Sequence, residues 1–230
     1  MENLILQQFF VFTFPERHDK MCPYPYFSFL RGLMMDSNFF ALISRMRYIA
    51  RWGLMRNALP ENIQEHSHMV AVLAHALGVI RRDIFHEPCD VNALATAALY
   101  HDASEILTGD LPTPIKYHNA EIMSAYHAVE DLAVQKLLGM LPPELRATYA
   151  DVLTEDKNGD IYPLVKAADK LSAYIKCIEE RKAGNNEFLS AEAQTHAALE
   201  ASPLPEVQYF LEHFIPAFER DLDELGAIGQ

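Results

Sequence analysis

The 230-residue sequence is short of cysteine, of basic residues and of long apolar runs, and each shortage excludes a class of protein. Its three cysteines, Cys22, Cys89 and Cys177, form no CxxC pair, so neither a zinc ribbon nor a disulfide framework is indicated. No apolar run reaches the ~20 residues that span a bilayer. With 19 Lys and Arg against 32 Asp and Glu, the formal net charge of −13 disfavours a protein that grips a nucleic-acid backbone. We expect a cytoplasmic protein with inert thiols, no membrane-spanning segment and no nucleic-acid polymer as partner.

The apolar residues follow a helical period almost throughout. From Asp36 onward they recur at three- and four-residue steps, no stretch shows convincing strand alternation, and no internal repeat is present. The chain is long enough for one sizeable buried core and does not require two. The predicted fold class is all-α, in a single domain.

The same pattern places the individual helices. We predict them over about 39–50, 62–82, 91–107, 119–138, 143–153, 161–182, 187–201 and 206–225, the last bent at Pro216. Asp90 is the expected N-cap of the third helix. The stretch Thr108 to Pro114 is expected to be irregular, because Gly109 favours a turn and the prolines oppose a helix.

Residues 1–35 differ from the rest of the chain. They combine an apolar, aromatic segment with three prolines, and no basic stretch precedes the apolar run as it would in a secretory signal peptide. We expect an N-terminal extension to a domain spanning 36–230, and the simplest hypothesis is that translation starts at Met34 or Met35. A genuine extension would either pack as a short helix or pair with a partner.

Four residues have the chemistry of metal ligands: His66, the adjacent pair His101 and Asp102, and Asp169. Imidazole nitrogens and carboxylate oxygens bind divalent transition-metal ions. An acid at position 169, on an inward-facing helix side, is costly unless it is paired or bound to metal. The alternative for Asp169 is a salt bridge to Lys166 or Lys170, and an isolated His-Asp pair is common by chance.

Glu105 is the candidate catalytic acid or base. It follows His101 by four residues and Asp102 by three, which places it on the same side of a helix and beside a metal-bound water. A solvated helix acid is the alternative.

Four further residues are candidates for catalysis or substrate binding. Asp110, in a Thr-Gly-Asp loop, could bind a sugar hydroxyl or assist proton transfer, or it could simply cap a turn. Lys116 could meet a phosphate or the solvent. Arg51 beside Trp52, the only tryptophan, could hold a phosphate and flank a nucleoside. The alternative is a boundary tryptophan with a snorkelling arginine.

The ordered set H…HD…D resembles the motif of HD-domain phosphohydrolases, a family of helical bundles. Longer stretches closely resemble the bacterial YfbR-type 5′-deoxynucleotidases over about Asp36 to Leu225. They are RWGLMRN, EHSHMVAVLAHAL, YHDASEILTGDLPTPIKY, VKAADKLSAYIKC and AGNNEF. The HD pattern alone is moderately specific, whereas the block that begins at Tyr100 is highly specific.

The resemblance implies a helical HD-domain fold, a homodimer and one divalent metal ion, with His66, His101, Asp102 and Asp169 as its ligands. The donor set suits Co, Mn or another transition metal such as Fe, Ni or Zn. The implied reaction is hydrolysis of deoxynucleoside 5′-monophosphates to deoxynucleoside and phosphate.

The resemblance also implies roles for the other candidates. Arg51 binds the phosphate, Trp52 helps to exclude ribonucleotides, and Glu105 and Asp110 serve catalysis and substrate positioning. Glu105 is the expected proton donor to the leaving 5′ oxygen. Two readings remain open: another HD-type hydrolase, acting on nucleoside triphosphates or signalling nucleotides, and a catalytically silent nucleotide-binding module.

Overall fold

The computed structural model describes residues 37–116, 118–154 and 159–226. The chain divides into two units between Asp36 and Ser37, and the described residues belong to the second. The predicted N-terminal extension, residues 1–35, lies outside the described residues, as does Cys22. Cys89 and Cys177 are free thiols. In the described ranges the secondary structure is helical apart from one isolated antiparallel bridge between Ala50 and Asn62, which confirms the all-α class.

The described residues form ten α-helices and three 3₁₀ turns, and none of these helices is long and apolar enough to cross a membrane. The α-helices are α1 (Phe39–Ile43), α2 (Ile63–Asp83), α3 (Val91–Tyr100), α4 (Glu105–Thr108), α5 (Thr113–Lys116), α6 (Ala120–Gly139), α7 (Pro143–Leu153), α8 (Tyr162–Lys182), α9 (Leu189–Glu200) and α10 (Pro205–His213). The 3₁₀ turns are Ser44–Tyr48, Asn186–Phe188 and Ile215–Glu219.

Side-chain caps fix where two of the central helices begin. The Asn62 side chain accepts hydrogen bonds from the amides of Gln64 and Glu65, and the Glu65 carboxylate accepts from the Asn62 amide, which completes a capping box. Asp90 caps α3 as predicted. The cap on α2 places His66 in the first turn of that helix, at the end nearest residues 50–62.

The predicted helix 91–107 is interrupted. It ends at Tyr100 and resumes at Glu105, and the Ala103 and Glu105 amides bond to carbonyls three residues earlier rather than four. The Ala98 carbonyl, which a continuous α-helix would pair with the Asp102 amide, accepts a hydrogen bond from the His101 ring at 2.7 Å. The side chain of His101 therefore competes with the helix at the position where the candidate site begins.

Two predictions that involve proline also differ from the structure. The last predicted helix ends at His213, and a separate 3₁₀ turn begins at Ile215, because Pro216 has no amide to continue the helical ladder. Conversely, Thr113 and Pro114 belong to a single helical turn rather than to an irregular loop. Pro114 is tolerated there because the first turn of a helix needs no amide donor.

The main core lies where α2 packs against α3 and α8, with α10 on α2 and α9 on α8. Its fully buried members include Val70, Ala74 and Leu77 of α2, as the helical period predicts. Gly78 allows the close approach of α2 and α3, because an added Cβ would lie 3.0 Å from a Leu94 methyl group. A smaller second core joins α1 to α6 and α7.

A buried ion pair anchors the loop of residues 50–62 to the C-terminal part of α8. The Glu180 carboxylate accepts from the Lys176 ammonium group, from the Asn185 side chain and from the amides of Ala58 and Leu59. Burial alone would raise the pKa of Glu180, but these donors outweigh it and lower the pKa to about 2.

We predict that Glu180→Ala lowers the free energy of unfolding by about 3–5 kcal/mol, because it leaves the buried Lys176 ammonium group without a counter-ion and two backbone amides without their acceptor. Denaturant unfolding measures the change. The matched control is Glu179→Ala, at the adjacent exposed position of α8, with an expected change of about 0.5 kcal/mol or less. Equal losses in the two variants would contradict the anchoring role.

Candidate metal centre and active site

The four candidate ligands meet where α2, the end of α3 and α8 come together. His66 Nε2 lies 3.1 Å from Asp169 Oδ1 and 3.5 Å from Asp102 Oδ2, and His101 Nε2 lies 3.1 Å from the same Asp102 oxygen. Ligand atoms of His66, His101 and Asp169 are all within 4.8 Å of one another. Residues from separate segments of the chain thus bring two imidazole nitrogens and an Asp169 oxygen together, with an Asp102 oxygen beside both nitrogens.

Hydrogen bonds behind the two histidines orient their rings. His101 Nδ1 donates to the Ala98 carbonyl, which can only accept, so Nε2 is the nitrogen left to hold either a proton that faces Asp102 or a cation. His66 Nδ1 is 3.1 Å from Ser172 Oγ, on the turn of α8 that follows Asp169. Both Nε2 atoms are buried and face carboxylate oxygens, yet neither makes a well-aligned hydrogen bond among the described residues. Buried nitrogens and carboxylates arranged in this way suit a divalent metal ion.

The site concentrates charge of both signs. Burial would raise the pKa of Asp102, but the attraction of His101, His66 and Arg51 outweighs it, and the pKa of Asp102 is lowered. Burial likewise opposes the charge on Asp169, but its contact with His66 outweighs that effect and lowers the pKa of Asp169. Both carboxylates are therefore ionised and available to a cation.

Glu105 has the opposite character. Its side chain is only 7% exposed, so Glu105 is not a solvated acid on the surface of a helix. Burial, together with the nearby charges of Asp102 and Asp110, raises the pKa of Glu105 to about 10 against the opposing effect of Arg51 and Lys116. A carboxyl group that keeps its proton at neutral pH beside ionised acids is suited to donate that proton.

Asp110 lies near Arg51, Asp102 and the backbone of Trp52. Burial and Asp102 raise its pKa, while Arg51 and a hydrogen bond from the Trp52 backbone lower it, so the net shift is upward. Gly109, at φ 75°, turns the chain after α4 and brings Asp110 back towards Arg51. The structure therefore places Asp110 next to Arg51 and Trp52, rather than in an isolated turn.

Arg51 and Trp52 are held by Glu61, a residue on which the sequence carried no signal. Glu61 Oε2 accepts from Arg51 Nη1 at 2.8 Å and from Trp52 Nε1 at 3.0 Å. The Arg51 side chain is 13% exposed, and burial lowers its pKa less than Glu61, Asp169, Asp102 and Asp110 raise it. Arg51 is therefore a buried cation beside the candidate metal ligands and not a snorkelling surface residue.

Trp52 has an unusual backbone conformation, with φ at 60° in the left-handed region. A bulky residue there costs about 1–3 kcal/mol, and such residues cluster at functional sites. The indole ring packs edge-on against Phe188 with ring centroids 5.2 Å apart. The surrounding contacts therefore fix both the backbone and the ring of Trp52.

Lys116 is engaged by its own neighbours. Its ammonium group is 2.9 Å from a Glu130 carboxylate oxygen and 4.5 Å from the centre of the Tyr126 ring. Its charge still reaches the site, because it lowers the pKa of Glu105. The structure thus brings Lys116 near the other candidates and pairs it with an acid that sequence reasoning had not considered.

Ser172, Glu61 and Glu180 are the supporting residues that sequence reasoning missed as part of the site. A weak signal existed for Ser172, since it is a polar residue on the inward face of its helix, three positions after Asp169. The acids at 61 and 180 had no comparable signal, because Glu61 meets its partners across a loop, nine and ten residues away, and the amides that Glu180 binds are more than 120 residues away.

Known proteins resemble this chain over most of its length. The family model for 5′-deoxynucleotidase YfbR-like proteins matches residues 38–218. The chain is 50% identical, over 194 residues, to the 5′-deoxynucleotidase YfbR of Shigella boydii and to that of Escherichia coli K12. Each match covers 84% of this chain and 98% of the relative.

Solved structures share the fold. An HD-domain phosphohydrolase from Listeria innocua superposes with a TM-score of 0.71 at 24% identity, over 80% of this chain and 90% of that one. A cyanophage S-2L HD phosphohydrolase, DatZ, bound to dA and one catalytic Zn²⁺ ion, has a TM-score of 0.51 at 26% identity, over 80% of this chain and 96% of that one. These matches confirm the predicted HD-domain bundle, and the extent and identity of the sequence matches establish that the chain belongs to the YfbR-like 5′-deoxynucleotidase family.

Proposed function

We propose that the protein hydrolyses deoxynucleoside 5′-monophosphates to deoxynucleoside and phosphate, and that it selects against ribonucleotides. The proposal rests on the proximity of the candidate metal ligands to Glu105 and Arg51. Ligand atoms of His66, His101 and Asp169 lie within 4.8 Å of one another, and an Asp102 oxygen lies beside both histidines. A buried Glu105 with a raised pKa and a buried Arg51 are their neighbours. Membership of the YfbR-like family, whose curated relatives are 5′-deoxynucleotidases, supports the same reaction.

His66, His101, Asp102 and Asp169 are the residues that would hold a divalent metal ion, one per site, with Co, Mn or another transition metal suited to the donor set. When bound, such an ion supplies Lewis-acid chemistry, because it acidifies water and offsets phosphate charge. Ser172 and the Ala98 carbonyl keep the two imidazole rings turned towards it.

The remaining residues act on the substrate. Arg51 binds the non-bridging phosphate oxygens, which need a cation in a protein with a net charge of −13. As a water oxygen bonds to phosphorus and the P–O5′ bond breaks, Glu105 donates its proton to the leaving 5′ oxygen, and a proton released by that water restores the acid. Asp110 positions the sugar, Trp52 flanks it on the side that bears the 2′ carbon, and Lys116 adds positive charge while Glu130 restrains it.

The assembly and the compartment follow the family resemblance. We infer a homodimer in the cytoplasm that acts on small deoxynucleotides and not on nucleic-acid polymers. The strongly acidic composition and the absence of a membrane-spanning helix in the described residues are consistent with that assignment.

The first prediction concerns the reaction itself. Metal-stripped protein should release little phosphate from dAMP, and added Co²⁺ or Mn²⁺ should restore release from dAMP far more than from AMP. His101→Ala should lose both metal content and activity, and both quantities are measurable on the same preparation. No release from either nucleotide by protein with confirmed bound metal would disprove the monophosphatase assignment and favour nucleoside triphosphates or a binding role.

The second prediction tests Glu105 as the proton donor. Glu105→Gln should lower kcat for dAMP by about 10²–10⁴-fold, the usual contribution of general acid catalysis. With p-nitrophenyl phosphate the loss should be much smaller, since that leaving group departs without a proton. Kinetics with both substrates measure the difference. Equal losses on the two substrates would assign Glu105 to another role.

The third prediction concerns selection of the sugar. Trp52→Ala should lower the ratio of kcat/KM for dAMP to that for AMP by about tenfold or more, because the indole no longer restricts the space beside the sugar. Phe214→Ala, at an exposed aromatic residue, is the control and should leave the ratio unchanged. An unaltered ratio in Trp52→Ala would remove Trp52 from the selection mechanism.

A further inference from the structure

A single carboxylate oxygen joins the two residues that are proposed to meet the phosphate and the sugar. Glu61 Oε2 accepts from Arg51 Nη1 and from Trp52 Nε1, at 2.8 and 3.0 Å. The Arg51 guanidinium also lies 5.8 Å from the centre of the Trp52 ring, and the side chains of Arg51 and Glu61 are only 13% and 15% exposed. A charge-assisted hydrogen bond shielded from water in this way is about twice as strong as a neutral one.

The Glu61 side chain is not needed to close the loop in which it lies. The Arg51 amide donates to the Glu61 carbonyl at 3.0 Å, and the Ile63 amide donates to the Ile49 carbonyl at 3.0 Å. These backbone bonds form the bridge at the base of residues 50–62 and do not involve the carboxylate. The loop has a separate anchor at Glu180. The contacts of the Glu61 carboxylate are therefore directed at the side chains of Arg51 and Trp52.

Both partners have freedom that this carboxylate removes. An arginine side chain has many rotamers, and the guanidinium of Arg51 also experiences the attraction of Asp102, Asp110 and Asp169. Without Glu61 it would be drawn onto those acids instead of facing the phosphate. The Trp52 indole has a single polar atom, and its N–H bond to Glu61 sets the orientation of the ring about its side-chain torsions.

We propose that Glu61 is a positioning residue that holds Arg51 and Trp52 as one unit, so that phosphate binding and selection of the deoxyribose depend on the same carboxylate. The proposal rests on the proposed function for the roles of Arg51 and Trp52. It assigns to Glu61 no contact with the reacting atoms. Loss of its charge should consequently raise KM and reduce sugar selection more than it lowers kcat.

The test compares Glu61→Gln with Glu179→Gln in the full chain loaded with Mn²⁺. Glutamine at position 61 keeps the shape of the side chain but removes its charge. Glu61 and Glu179 both line a cavity of about 200 Å³. Arg51 and Trp52 donate to Glu61 and not to Glu179 among the described residues. The control therefore removes an equal charge from the same place without touching the proposed unit.

For Glu61→Gln we expect KM for dAMP to rise about tenfold, kcat to change less than threefold, and the dAMP-to-AMP ratio of kcat/KM to fall at least threefold. Glu179→Gln should stay within twofold of the wild type on all three. The proposal would be overturned if KM, kcat and the dAMP-to-AMP ratio of Glu61→Gln also stayed within twofold of the wild type. A loss confined to kcat, which is the signature of a disturbed reaction centre, would also overturn it.

A second measurement does not depend on hydrolysis. Trp52 is the only tryptophan, so its fluorescence reports the proposed unit directly. Glu61→Gln should shift its emission and weaken the binding of inorganic phosphate, titrated through that emission, by about tenfold. If the wild type hydrolyses neither nucleotide, the proposed function fails, while this titration still decides the role of Glu61. Unchanged emission and phosphate affinity would contradict it.

Trp52→Phe is the second variant, in case Glu61→Gln lowers the melting temperature. It removes the indole N–H but leaves the Arg51–Glu61 pair. We expect a lower dAMP-to-AMP ratio with little change in KM, and in this background Glu61→Gln should raise KM without a further fall in the ratio. If Trp52→Phe and Glu61→Gln instead lower the dAMP-to-AMP ratio additively in the double variant, Glu61 does not act through Trp52.

Discussion

Close packing of α2 against α3 and α8 is the constraint on which the site depends, because the metal-ligand candidates are distributed over these three segments. His66 is in the first turn of α2, His101 and Asp102 follow α3, and Asp169 is near the end of the second turn of α8. A Cβ added at Gly78 would lie only 3.0 Å from a Leu94 methyl group, which shows how closely α2 approaches α3. Ligand atoms in such close proximity require closely packed helices, and the buried apolar faces supply the free energy for that packing.

The charges at this junction are arranged for an anionic substrate in an acidic protein. Asp102 and Asp169 are kept ionised by imidazole and guanidinium neighbours, whereas Glu105, buried a few residues away, keeps its proton. The same type of side chain thus has a lowered pKa at two of these positions and a raised pKa at the third, because the surroundings differ. Arg51 provides the positive charge that the composition as a whole lacks.

Residues 50–62 form a second functional element, built differently from the helical core. They are closed by backbone bonds, anchored by Glu180 and organised internally by Glu61. This construction separates tasks: Glu180 contributes to stability, whereas Glu61 orients side chains. It also explains how Trp52 retains a left-handed backbone conformation, since bonds on both sides over-determine its position.

The sequence by itself determined the helical class, most helix bounds, the candidate ligands and the candidate acid, because periodicity, caps and a dense local motif such as HDASEILTGD are encoded within a few neighbouring residues. It predicted one continuous helix through His101, since the competition of that side chain for the Ala98 carbonyl is a local geometric choice that periodicity does not record. Only the tertiary structure decided that Lys116 pairs with Glu130, that Ser172 orients His66, and that Glu61 joins Arg51 to Trp52. Each of those contacts depends on where different parts of the chain meet in the fold. The pKa of each acid depends on whether burial or a neighbouring charge has the larger effect there. Neither composition nor residue spacing specifies these two things.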